Sequence, residues 1–229
     1  MTRDIRRRTA LATRALAAAG QADMVWGHLA LRDPDGRGVW MKASGWSFEE
    51  VDESRVLLVS WDGEVLEGDG KRHIEYPIHT EIMRRRPDVM ATVHSHPEDA
   101  NVFSALDLPL PAISHEGVPF ADPQVPRFTH TGDLVIGAAL GAELAAALGQ
   151  ARACLMPKHG IVTVGADEAA AVMHAVLLTK ACRMAVAAAA AGGAVVMSDA
   201  EEIAAKMQHA WPDAQIRAGY DYLVRRAER

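Results

Sequence analysis

Val89-Met90-Ala91-Thr92-Val93-His94-Ser95-His96-Pro97 is the stretch from which the rest of the chain can be placed. Its first half is apolar and β-branched, the pattern of a buried strand. Side chains two apart on a strand share a face, so His94 and His96 project toward one point. Pro97 cannot donate to a β-ladder, so the strand ends there, at an open margin that a ligand can approach. Alone, a His-x-His pair is more commonly just two satisfied or solvated histidines. Glu75 before it and Lys158-His159-Gly160 after it decide the matter: four possible ligand side chains, on three segments, all at element boundaries.

Upstream, residues 4–19 read as an amphipathic helix ended by Gly20. Residues 25–32 alternate as a strand, 33–36 form a turn and 39–42 return as a second strand. Ser44-Gly45 follows, where a small hydroxyl beside a glycine lets backbone donors approach an anion or a carbonyl; an ordinary turn is the other reading. Ser47 and Glu50 have capping-box spacing. Residues 56–61 and 64–67 make another hairpin. Pro77 suits the first turn of a helix that Pro87 stops, which leaves Glu75 just outside it. On that reading His79 is a packing or supporting residue rather than the helical metal partner of Glu75.

Downstream, the pattern predicts a helix over 98–106, an extended segment over 108–113 and irregular chain to 131. A helix over 133–148 follows, then short strands over 153–156 and 161–164. Asp167 caps a long Ala-rich helix ending near Gly192-Gly193, and a further helical region from Ser198 is interrupted by Pro212. Strands come mostly as hairpins with helices between and after them, so the expected architecture is α/β, a largely antiparallel sheet covered by helices.

The 229 residues suit one domain over 1–229. A hydrophobic content of 49% with 24% charged residues is that of a soluble globular chain. The net charge of -6 gives no reason to expect nucleic acid or an anionic membrane as partner. Two cysteines make no disulfide framework, so a reducing cytoplasm is expected. Residues 169–197 are the most apolar, but His174, Lys180 and Arg183 break the run that a bilayer span needs.

Three histidines and a carboxylate suit a divalent ion, zinc first and manganese second, one per subunit. Glu75 is either a fourth ligand or a general base.

Glu75-Tyr76-Pro77-Ile78-His79, Arg86-Pro87-Asp88-Val89, Val93-His94-Ser95-His96-Pro97 and Lys158-His159-Gly160 together resemble, in order and spacing, the class II aldolase/adducin family. The resemblance covers about residues 5–200. It implies a three-layer α/β/α fold and a homotetramer with sites at subunit interfaces. It also implies metal ligation by His94, His96 and His159, with Glu75 as the acid/base carboxylate and sometimes a ligand.

Departures are informative too. The family's sugar-phosphate aldolases carry Gly-Asn near the first strand and Ser-Ser just before the Glu, which with a Ser/Thr-Gly hold the phosphate. Here His28 follows Gly27, Arg72-His73 replace the serine pair, and only Ser44-Gly45 matches. Arg72 is expected to grip a planar carboxylate bidentately, unless it simply points to solvent. His28, Ser44, Gly45, Arg72 and His73 are therefore expected to bind the substrate. His115 falls near the place of a catalytic tyrosine that a neighbouring subunit donates, and is expected to be a proton donor. The pattern resembles the family's decarboxylase branch, acting on hydroxylated aromatic or heteroaromatic carboxylic acids. An aldolase or epimerase acting on an unphosphorylated hydroxycarbonyl compound is the alternative, and a non-catalytic adducin-like binding module the third reading.

Overall fold

The computed structural model describes residues 2–193 and 196–229. Seven strands form one antiparallel sheet: β1 (His28–Arg32), β2 (Gly38–Lys42), β3 (Val56–Ser60), β4 (Val65–Glu67), β5 (Ala91–Ser95), β6 (Ala153–Met156) and β7 (Gly160–Gly165), in the order β4-β3-β2-β1-β5-β7-β6. The helices are α1 (Thr2–Ala18), α2 (Pro77–Arg85), α3 (Glu98–Ser104), α4 (Ala138–Leu148), α5 (Glu168–Ala190), α6 (Ala200–His209) and α7 (Asp213–Ala227).

Alternation along the strands divides the core in two. Leu29, Leu31, Trp40, Val56, Leu58, Val93 and Ile161 face α1, α3 and α5, and α7 packs on α1 and α5. Ala30, Val39, Met41, Leu57, Val59, Val162 and Val164 face α2 and α4. Each fully buried aliphatic side chain contributes on the order of 1.5–3 kcal/mol, so both interfaces hold the sheet between helical layers. The three-layer α/β/α expectation is met. By length and hydropathy α5 could cross a bilayer, but in this fold Val172, Leu177, Leu178 and Cys182 are packed into the core.

Local departures have local causes. The first strand begins at His28 rather than at residue 25, because Trp26 N–H bonds Asp23 O in a turn where Met24 and Gly27 take φ of 47° and 73°. The Val25 carbonyl is taken by the Lys42 ammonium. The helix expected over 133–148 starts only at Ala138: Gly137 has φ 89°, and Val135 N–H goes to the Glu75 carboxylate. Residues 108–113, expected as an extended segment, join no sheet, and the Gln124 side-chain amide pairs with the Leu110 backbone. The irregular segment contains one 3-10 turn, His115–Phe120.

Candidate metal centre and substrate cavity

Sheet register brings the first two imidazoles together. His28 of β1 lies directly opposite His94 of β5, so both project from the same face. Thr92, two residues before His94, shares that face, and α2 lays His79 over it. Beyond the end of β5, His96 turns its Nε2 to within 3.1 Å of His94 Nε2. The turn between β6 and β7 delivers His159, with Lys158 at φ 67°. The donor atoms of His94, His96 and His159 all lie within 4.8 Å of one another. Those of His28, Glu75 and His94 form an overlapping group at the same spacing.

Glu75 closes the cluster from its expected place before α2. Its Oε1 accepts from Val135 N–H at 2.8 Å and lies 3.4 Å from His159 Nε2, while Oε2 is 3.7 Å from His94 Nε2. Burial works to raise the Glu75 pKa, but the His159 and His94 imidazoles and the Val135 N–H outweigh it and hold the carboxyl at about 2. Glu75 is therefore an anion at neutral pH.

The hydrogen bonds fix the tautomers of His94 and His96. His94 Nδ1 faces only the Ile161 carbonyl, at 2.9 Å, and must donate to it. His96 Nδ1 donates to the Asp23 carboxylate at 3.1 Å. Both Nε2 atoms are then unprotonated, and burial lowers the pKa of each ring. Two lone pairs facing each other at 3.1 Å are repulsive unless a cation lies between them. His159 adds to this: neither ring nitrogen has a hydrogen-bond partner among the described residues, although both are buried. These nitrogens, with the Glu75 carboxylate, fit a divalent cation.

A second hydrogen-bond chain backs the cluster. His28 Nδ1 and His79 Nε2 are 2.6 Å apart, and His79 Nδ1 meets Thr92 Oγ1 at 2.5 Å. Thr92 both donates and accepts, so the chain can be polarised either way. His28 Nε2 then presents a donor in one arrangement and a lone pair in the other. Burial pushes His28 well below the usual imidazole range and His79 to about 3, so both are neutral. His79 is thus a supporting residue, as its place in the helix suggested.

The cluster opens into a cavity of about 820 Å³ lined by His28, Ser44, Arg72, His73, Glu75, His96 and His159, with Trp26, Ile74 and Leu134 as apolar surfaces. His73 packs on His28 with ring centroids 4.5 Å apart and takes a hydrogen bond from Lys42 Nζ at 3.0 Å. Burial, with Lys42 and His79 adding to it, brings His73 down to about 3. Lys42 was not anticipated. It is wholly buried, donates also to the carbonyls of Val25 and Trp46, and is brought to about 8 by burial. It ties together the segments carrying His28, Ser44 and His73.

Not every expected binding or catalytic residue presents a free group to the cavity of its own chain. Arg72 lines the cavity, but its Nε donates to Gly63 O, its Nη1 to His73 O, and it stacks on Tyr76 at 4.3 Å. Two of its five donors are committed to carbonyls, so it braces the wall and keeps Nη2 without a hydrogen-bond partner among the described residues. Gly45 takes φ 89° beside Ser44 but does not line the cavity. His115 is exposed at the start of its 3-10 turn, where its carbonyl accepts from Trp211, and does not reach the cavity of its own chain.

Residues 7–186 match the sequence profile described as the class II aldolase and adducin N-terminal domain. A 4-hydroxy-3-prenylphenylpyruvate oxygenase/4-hydroxy-3-prenylbenzoate synthase of Streptomyces roseochromogenus subsp. oscitans is 33% identical over 82% of this chain and 69% of that protein. The 3,4-dihydroxyphthalate decarboxylase of Arthrobacter keyseri is 32% identical over 81% of this chain and 79% of its own. Among solved structures, an L-fuculose 1-phosphate aldolase from Glaciozyma antarctica PI12 superposes with a TM-score of 0.84 at 28% identity, covering 98% of this chain and 88% of that one.

Proposed function

Because the chain belongs to the class II aldolase/adducin family, we propose that it is a divalent-metal-dependent lyase that decarboxylates a hydroxylated aromatic or heteroaromatic carboxylic acid. The observation that carries this reading is the pair His28 and His73 in the cavity wall beside Glu75 and His94. Neutral imidazoles and the Ser44 hydroxyl suit a planar carboxylate and its neighbouring hydroxyl better than a phosphate dianion. The relatives named as dihydroxyphthalate decarboxylases support the same substrate class.

His94, His96 and His159, joined by Glu75 until substrate displaces it, would hold the ion, zinc or manganese, which would supply Lewis-acid charge where negative charge develops. Ser44, His28 and His73 orient the substrate. Trp26, Ile74 and Leu134 cover its apolar face. Glu75, ionised at neutral pH, takes the proton of the hydroxyl beside the carboxylate and returns it to the ring carbon that loses carbon dioxide. The C–C bond breaks, its electron pair stays with the ring carbon, and that proton fills the vacated position.

We also infer a homotetramer in which His115 of one chain faces a neighbour's cavity. Light scattering gives the assembly directly. The function is tested by incubating metal-loaded protein with ortho-hydroxy aromatic acids and with hydroxy-keto acids. Carbon dioxide from the former, without dioxygen consumption, supports the reading. Aldehyde from the latter supports the aldolase alternative instead.

A further inference from the structure

The chain from the end of α1 to the first residue of β1 runs alongside the end of β5 and engages His94, Ser95 and His96 one by one. His28 lies opposite His94. Gln21 Oε1 accepts from Ser95 Oγ at 2.9 Å, and its amide nitrogen donates to Thr179 Oγ1 at 3.0 Å. Asp23 Oδ2 accepts from His96 Nδ1 at 3.1 Å. Asp23 has no Lys or Arg partner among the described residues, and Arg183 nearby pairs with Asp99.

The backbone is bent to make this contact. The turn from Asp23 to Trp26 closes with Trp26 N–H on Asp23 O, and Met24 holds φ 47°. A methionine in the left-handed region is uncommon and costs on the order of 1 kcal/mol or more. Met24 is 66% exposed, so packing of its side chain does not account for the strain. What the turn achieves is the placement of the Asp23 carboxylate behind His96.

We propose that Asp23 is a positioning residue for metal binding: it holds the His96 ring in orientation and keeps the proton on Nδ1, so that Nε2 is always the free ligand atom. The inference rests on the metal-centre reading above. A carboxylate behind a ligand imidazole also makes the ring a better donor, and removing such a partner weakens binding by about 10- to 100-fold.

The test compares wild type, Asp23→Ala and Asp23→Asn, each stripped of metal and titrated with zinc against a chromophoric chelator. Cobalt-loaded samples are compared by their visible d–d bands. The expected result is an affinity about 10- to 100-fold lower in Asp23→Ala, with shifted cobalt bands, and partial recovery in Asp23→Asn, which keeps an acceptor oxygen. A merely structural role would lower the melting point of the metal-free protein and leave affinity and cobalt bands alone, which would overturn the proposal. Should Asp23→Ala fail to fold, an Asp23→Asn affinity and spectrum equal to wild type would overturn it equally. If wild type binds neither zinc nor cobalt, the metal-centre reading itself falls, a result distinct from equal binding by all three proteins.

Discussion

His94 Nε2 and His96 Nε2 stand 3.1 Å apart while the other nitrogen of each ring donates to a fixed acceptor, Ile161 O and the Asp23 carboxylate. Under the proposed function, the pair is arranged for a cation before one arrives. Adding zinc or manganese to chelator-treated protein should therefore raise its stability. At a free concentration about a hundred times the dissociation constant, the gain is about 2.7 kcal/mol. Thermal or urea unfolding measures it, and His96→Ala should show little of it.

Gly160 allows β7 to approach the ligand strand. A Cβ there would lie 2.4 Å from Ser95 O and 2.8 Å from His96 Cδ2. Gly160→Ala should cost about 1–3 kcal/mol of stability. Because the strain falls between His96 and His159, zinc affinity should drop along with it, read by chelator competition.

Glu75 is held at about 2 and is the base in this account. Glu75→Gln keeps the size and one oxygen but cannot accept the proton. Turnover should fall at least about a hundredfold, with metal content by elemental analysis reduced far less. A proportional loss of both would make Glu75 chiefly a ligand.

Away from the centre, His174 on α5 donates to Val164 O at 2.7 Å, and burial lowers its pKa to about 4. An unfolded histidine titrates near 6.5, so between about pH 6.5 and pH 4 the unfolded chain binds more protons than the fold. The stability associated with neutral His174 is complete above 6.5 and is lost as pH falls through that window. His174→Gln should show a shallower fall in urea-unfolding free energy from pH 7 to pH 4.5 than wild type.

How far the sequence goes can be seen residue by residue. Glu75, His94, His96 and His159 were legible because each sits at an element boundary marked by proline, glycine or strand alternation, and the fold brings all four together. Pro77 correctly placed Glu75 outside α2. Asp23, Lys42 and Val135 were not legible, because their roles depend on contacts across 73, 31 and 60 positions. Lys42 reads as the polar end of a strand and is instead buried under Trp46 and His73. The expected helix from residue 133 failed for the same reason: a distant carboxylate takes the Val135 N–H. Arg72 looked like a free cation, and only the structure shows Gly63 and Tyr76 holding it.

The most direct test of the account measures metal and product on the same samples. Wild type and His94→Ala are each assayed for bound metal by elemental analysis and for carbon dioxide released from an ortho-hydroxy aromatic acid. The account predicts about one ion per chain and steady carbon dioxide release in wild type, with both lost together in His94→Ala. Carbon dioxide released at the wild-type rate by metal-free His94→Ala would contradict it.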